Sequence, residues 1–367
     1  MIYFDNAASA PLCREAKEAM AAELERFANP SSLHRLGFEA EKRLKAAREA
    51  VAGTLSCEPE ELFFTSGGTE ADNLAVLAAR RGGHILAGNS EHPAVAECLK
   101  ALENQGCTVT FLSTKNGALD PAEVAGAVTE KTVLALMMHT NNETGARYDV
   151  GGFARIVKEK NPRCLVFSDG VQGYLKTPLS PASLGVDMLS LSAHKIGGPK
   201  GVGALWVRRG VHPAPRALGG GQEKGVRSGT ENLPGIIGFA AAASANHARL
   251  AENIAGMAAV REAVLTGLRD TPGITFNVPC DPAPHILSMQ VAGWRSEVLL
   301  HALSEKEIFV SSGSACSSHK GRGPVLANFG LSKEEADRTI RLSFSPQNTV
   351  DEAAAFCVAI KKLTADG

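Results

Sequence analysis

Between residues 62 and 207 the chain alternates short apolar runs with alanine-rich, helix-patterned segments, and this alternation restricts the fold more than any other feature. The runs cover residues 62–65, 84–87, 108–112, 133–138, 165–168, 188–192 and 204–207. Apolar stretches of this length, bounded by turn residues, read as strands buried on both faces. Parallel neighbours need a crossover long enough to hold a helix, so the pattern predicts an α/β fold around a mainly parallel seven-stranded sheet with helices on either side.

Ahead of the sheet, Met20, Leu24 and Phe27 recur at helical intervals up to Asn29-Pro30-Ser31-Ser32, and a second helix carries Ala40, Leu44, Ala47 and Val51 on one face. Beyond it, the stretch from about Leu233 to Arg269 is helical in composition, with Asn232 as its cap and Pro272-Gly273 as its stop. It predicts a bridge into a smaller α/β domain. There the strand candidates are 274–278, 286–291, 309–311 and 340–344, with helices at 296–303, 334–338 and 350–363. The division that results is a large domain over 15–260 and a small domain made of 1–14 and 261–367.

Composition removes several classes. Hydrophobic residues at 44% and charged residues at 21% fit a globular protein, and the 37 glycines follow no fixed period, which excludes fibrous and disordered chains. The 38 basic and 39 acidic residues are well mixed, so no broad positive field invites a nucleic-acid backbone, and direct nucleic-acid binding is not expected. Residues 1–6 form neither a basic leader nor an export signal, and no later run approaches a membrane span, so the expectation is a cytoplasmic enzyme without a membrane partner. Eight cysteines stand at 13, 57, 98, 107, 164, 280, 316 and 357 without a Cys-x-x-Cys pair or a zinc-like spacing; reduced thiols and no metal are expected. Seven lie in apolar or helical contexts that suit a small buried hydrophobe, whereas Cys316 sits among serines in Ser311–Ser318.

In an open parallel sheet, ligands gather at the carboxyl ends of the strands. After the first run comes Ser66-Gly67-Gly68-Thr69-Glu70, a glycine turn into a helix that can either cradle a phosphate or simply turn the chain. Ser90-Glu91-His92-Pro93 follows the second run and places an imidazole, or a helix cap, at the next helix start. Asn141-Asn142-Glu143-Thr144-Gly145 is a polar turn. Asp169, with Gln172 three residues on, can keep a pyridine nitrogen protonated or cap a helix. Finally Ser192-Ala193-His194-Lys195 runs into Gly197-Gly198, and a lysine desolvated at a strand edge can attack an aldehyde. Each has a bland explanation alone, but together they are the parts of a pyridoxal phosphate site: phosphate cradle, stacking imidazole, acid for the ring nitrogen and amine for the aldehyde.

The motifs Tyr3-Phe4-Asp5-Asn6-Ala7-Ala8, Asn29-Pro30-Ser31-Ser32-Leu33-His34, Thr65 to Glu70, Glu91-His92, Asn141-Asn142-Glu143, Asp169 with Gln172, Ser192 to Gly201, Arg227-Ser228-Gly229-Thr230, Ser311 to Cys316 and Ile340-Arg341 carry a resemblance over nearly the whole chain. It resembles the class V aminotransferase group of pyridoxal phosphate enzymes, and within it the cysteine desulfurases of the NifS/IscS type. The resemblance implies fold type I of these transferases and conversion of L-cysteine to L-alanine, with the sulfur passed to Cys316 as a persulfide. Iron–sulfur cluster assembly or thiolation pathways would receive it through an acceptor protein.

Residue by residue, the resemblance implies that Lys195 holds pyridoxal 5'-phosphate as a Schiff base, Asp169 partners the ring nitrogen and Gln172 the ring hydroxyl. His92 would stack on the ring, and Gly68, Thr69, Ser192 and His194 would contact the phosphate. Asn142 and Arg341 would engage the substrate, and Thr230 would reach the phosphate of a neighbouring subunit in a homodimer. Asp169-Gly170-Val171-Gln172 and Ala8-Ser9 depart from the commonest forms of their motifs. The chain stops at Gly367 soon after its last expected helix, so the resemblance does not extend to a tail that meets an iron–sulfur scaffold. Selenocysteine lysis or another class V reaction would use the same lysine and aspartate, and a persulfide carrier would keep the fold without turnover.

Overall fold

The computed structural model describes residues 1–78, 82–312 and 324–365. Its seven-stranded sheet runs, edge to edge, Leu62–Thr65, Gly203–Val207, Met188–Ser192, Leu165–Asp169, Thr132–Leu136, His84–Gly88 and Thr108–Leu112. Gly203–Val207 alone lies antiparallel to its two neighbours, and the other adjacent pairs are parallel. Side-chain alternation separates two apolar layers: Leu62, Phe64, Leu86, Ala135 and Val166 pack on one face, and Phe63, Ile85, Ala87, Leu134 and Phe167 on the other. Both faces are covered, as the apolar runs require.

The helix Arg35–Leu55 buries Ala40, Leu44, Ala47 and Val51 as its pattern predicts, and the ring of His34 caps it by accepting the Gly37 N–H. The first helix departs from expectation. It spans Arg14–Leu24, and Leu24 and Phe27 are exposed, because Ala16 and Glu23 face inward and Met20 closes on Gly238. Buried Glu23 is held by Arg43 at 3.0 Å and Arg26 at 3.1 Å.

The long helical stretch after Asn232 is two helices, Leu233–Ala248 and Leu250–Leu268. They meet at Arg249, whose φ of −118° and ψ of 24° interrupt the ladder. Asn232 does cap the first, accepting the Gly235 N–H. Ile274–Phe276, Ile286–Val291, Thr339–Ser343 and Ser311–Ser312 form a second, antiparallel sheet over an apolar cluster that includes Phe4, Met257, Val264, Leu287, Leu342 and Phe356. The expected strand over 309–311 divides at Val310: Ile308–Phe309 pairs with Ile2–Tyr3, and Ser311–Ser312 with Thr339–Ser343. That first pairing brings the N-terminal segment to the strand ends of the large sheet, where the Ala10 N–H donates to the His194 carbonyl at 2.9 Å.

Candidate active site

Five strand ends of the large sheet and the turns after them enclose a cavity of about 260 Å³. Gly68, Thr69, His92, Asn142, Asp169, Gln172, Ser192, His194 and Lys195 all line it, so nine residues singled out from the sequence converge. Two others, Thr230 and Arg341, do not line it. Cys316 lies outside the described residues. Thr230 is exposed, three residues after Arg227, which pairs with Glu70 at 3.1 Å beside the Gly67 turn. Arg341 is buried next door, and its Nη1 donates to the Asn142 carbonyl at 2.9 Å.

At one end the helix Gly68–Val76 opens directly after Gly67, without a side-chain cap. Its first helical bond is the Ala71 N–H to the Gly67 carbonyl, so the N–H groups of the first turn face away from the helix. Ser192 Oγ is buried here with no hydrogen-bond partner among the described residues. Free amides at a helix start beside an orphaned hydroxyl are donors set for an anion. A Cβ at Gly68 would fall 2.8 Å from Val171 Cγ2, so no larger residue fits the cradle unchanged.

Across the cavity, Asp169 ends its strand fully inside the protein, one oxygen accepting the Val171 N–H at 2.9 Å. Burial raises its pKa, opposed by His92 and Lys195. Asp72 and Glu91 are buried near it. Burial, then the Asp169 charge, pushes Asp72 well above the carboxylate range, and burial lifts Glu91 to about 8. Asp169 alone of the three has a cationic amine, Lys195, acting to lower it, so its charged form is the one partly compensated. A protonated ring nitrogen would complete that compensation.

His92 caps the helix Pro93–Glu103: its Nδ1 accepts the Ala94 N–H at 3.1 Å. The cap fixes the neutral tautomer with hydrogen on Nε2, and burial lowers the ring's pKa. Capping and cavity lining are thus one residue's work, not alternatives. His194 also stays neutral, lowered to about 4 by burial and then by Lys195 and Lys176. Lys195 Nζ donates to the carbonyls of Ala7 at 2.6 Å and Ala8 at 2.9 Å, contacts the N-terminal segment supplies.

Arg341 Nη2 holds Asp5 at 2.7 Å, while its Nε is buried without a partner among the described residues. Glu143 faces it, raised by burial to about 7. A carboxylate arriving from the cavity would meet a guanidinium already oriented by Asp5 and the Asn142 carbonyl. Cys98, Cys107, Cys164 and Cys357 are buried and Cys13 and Cys57 half-buried, but Cys280 is exposed, contrary to expectation, because it lies in the turn before Ile286–Val291. Sequence reasoning gave no role to Asp72 or Lys176. The available signal was spacing: Asp72 stands three residues after Thr69 on one helix and Lys176 four after Gln172.

The description "Aminotransferase class-V" matches residues 2–356. A cysteine desulfurase IscS of Anaeromyxobacter sp. is 39% identical over 381 residues, covering 99% of this chain and 93% of that protein. A solved NifS-like protein superposes with a TM-score of 0.93 at 36% identity, covering both chains fully. The structure titled "SspA in complex with cysteine" gives a TM-score of 0.83 at 31% identity, over 94% of this chain and 99% of that one. An α/β fold with a lysine, an acid and an anion cradle at the strand ends of its large sheet is the architecture of a vitamin-dependent transferase. This chain belongs to the class V aminotransferase family, in its NifS/IscS branch.

Proposed function

We propose that this protein is a cysteine desulfurase that binds pyridoxal 5'-phosphate and converts L-cysteine to L-alanine. The observation that carries the reading is the convergence of Lys195, Asp169, His92 and the Gly68/Ser192 cradle on one cavity. Family membership and relatives that bear the name cysteine desulfurase support it. Gly68, Thr69, Ser192 and His194 hold the phosphate, Asp169 the ring nitrogen, Gln172 the ring hydroxyl, His92 the ring face and Lys195 the aldehyde.

When bound, the cofactor supplies an electron sink for the pair released at the substrate's α-carbon. Asp169 keeps a proton on the ring nitrogen, which maintains that sink. Arg341 and Asn142 orient the substrate carboxylate. Lys195 Nζ is the base placed to take the α-proton and return one. The Cys316 thiolate attacks the substrate sulfur: a Cys316 sulfur–sulfur bond forms as the substrate Cβ–S bond breaks, and its electrons remain on Cβ. That carbon takes a proton and becomes the methyl of alanine.

The active assembly in this reading is a homodimer in the cytoplasm, with Thr230 serving the partner's phosphate and an acceptor protein taking the persulfide. Phe27, Leu33 and Leu218 are large apolar side chains 91%, 87% and 85% exposed, which supports association. No helix among the described residues is long and apolar enough to cross a membrane. A two-part organisation, proposed as 15–260 against 1–14 with 261–367, is supported by the separate apolar cluster around Phe4 and Phe356, although that cluster also takes in Met257 and Val260.

Cys316→Ser tests the sulfur route. The variant should keep the visible absorption of the cofactor joined to Lys195 yet form no persulfide from L-cysteine by mass spectrometry; undiminished alanine and sulfide output would remove Cys316 from the mechanism.

A further inference from the structure

Lys176 is a buried amine that nothing in the reaction above uses. It is only 5% exposed, and its side chain has one hydrogen bond among the described residues, from Nζ to Gln172 Oε1 at 3.3 Å. Among the described residues no carboxylate compensates it. The charges acting on it are those of Lys195 and Arg341, and with burial they lower it to about 7. His285 and His139, packed nearby, are themselves held neutral by burial. An unbranched apolar residue would fill this space without the desolvation cost, so the amine calls for an explanation.

Gln172 supplies one. Its Nε2 donates to the Ala7 carbonyl at 2.9 Å, the same oxygen that accepts Lys195 Nζ at 2.6 Å. The donor end of the amide therefore lies beside the reactive amine, and the acceptor end is turned back to Lys176. A flipped amide would set Oε1 against the Ala7 oxygen and Nε2 against the Lys176 donor, losing both hydrogen bonds. An amide NH₂ has two hydrogens, and Ala7 uses one. We infer that Lys176 is a positioning residue: by holding Gln172 Oε1 it presents the second N–H of Gln172 to the cofactor beside Lys195.

This inference rests on the cofactor reading above, and a double-mutant cycle separates the two. Full-length wild type, Lys176→Met, Gln172→Ala and the double variant are freed of cofactor and titrated with pyridoxal 5'-phosphate, with dissociation constant and bound absorption spectrum recorded. Lys176→Met should weaken binding about tenfold and shift the bound spectrum in the wild-type background, yet change binding less than about twofold once Gln172 is alanine. Lys176→Gln, which retains an N–H donor, should restore the spectrum and most of the affinity; it also serves if the Met variant does not fold. Equal losses in both backgrounds, or no loss at Lys176, would overturn the inference. A wild-type chain that binds no pyridoxal phosphate would instead overturn the cofactor reading, and this inference with it.

Discussion

Gly203 pairs with Thr65 on one side and Ser192 on the other, the two strand ends that open the anion cradle. A Cβ there would fall 2.5 Å from the Leu191 oxygen and 2.6 Å from the Gly67 carbonyl carbon, both backbone atoms. Gly203→Ala must therefore push the Gly67 turn out of place, and we expect a loss of about 2 kcal/mol in stability together with weaker cofactor binding. Thermal melts with a cofactor titration check this, and an unchanged affinity would dissociate the turn from the cradle. At this scale the sequence exposed the residues that stand just past a strand, since periodicity locates strand ends and strand ends locate ligands. Asp72 and Lys176 were not legible as site residues, because an acid on a helix and a lysine after a glycine turn ordinarily face water. Only the fold, which buries both, gives them meaning.

Among the elements, the helix Pro93–Glu103 and the turn before it carry a titration of their own. Glu91 accepts the Met138 N–H at 2.7 Å and is raised from 4.5 to about 8 by burial. A folded-state pKa above the unfolded one means that the folded protein holds the extra proton. The stability Glu91 contributes is therefore full below about pH 4.5 and is lost as pH rises toward 8. Glu91→Gln keeps the acceptor and removes the titration. Its stability relative to wild type, followed by melting at each pH, should climb across that window by an amount on the order of 1 kcal/mol or more. A difference that stays flat with pH would show that Glu91 does not change protonation there.

Strands were more legible than helix ends. Leu62–Thr65, Thr108–Leu112, Met188–Ser192 and Ile286–Val291 match their apolar runs. The break at Arg249 carries neither glycine nor proline to announce it, and the exposed Leu24 and Phe27 mimic a buried helical face. Both misreadings arise because helical periodicity reports an apolar stripe without saying what covers it.

For the molecule as a whole, the exposed apolar side chains around Phe27 are informative. Phe27, Leu33 and Phe38 lie within twelve positions of one another, 91%, 87% and 50% exposed. If the chain forms the homodimer proposed above, Phe27→Asp with Leu33→Asp should shift it from dimer to monomer in sedimentation and weaken its hold on the cofactor by roughly tenfold or more, since the proposed reach of Thr230 to a neighbouring phosphate would be lost. A double variant that remains dimeric would place the interface elsewhere. The parallel sheet was readable from strand–helix alternation, but the path of the N-terminal segment was not. A two-residue strand, Ile2–Tyr3, carries too little pattern to detect, yet it delivers the Ala7 and Ala8 carbonyls to Lys195.

The central claim is that this cavity removes sulfur from cysteine and stores it on Cys316. The cofactor-loaded protein, mixed with L-cysteine and no sulfur acceptor, should release alanine in equal amount to the persulfide formed on Cys316, and Lys195→Ala should release none. Absence of alanine from the wild-type protein, or release of sulfide with pyruvate in place of alanine, would contradict it.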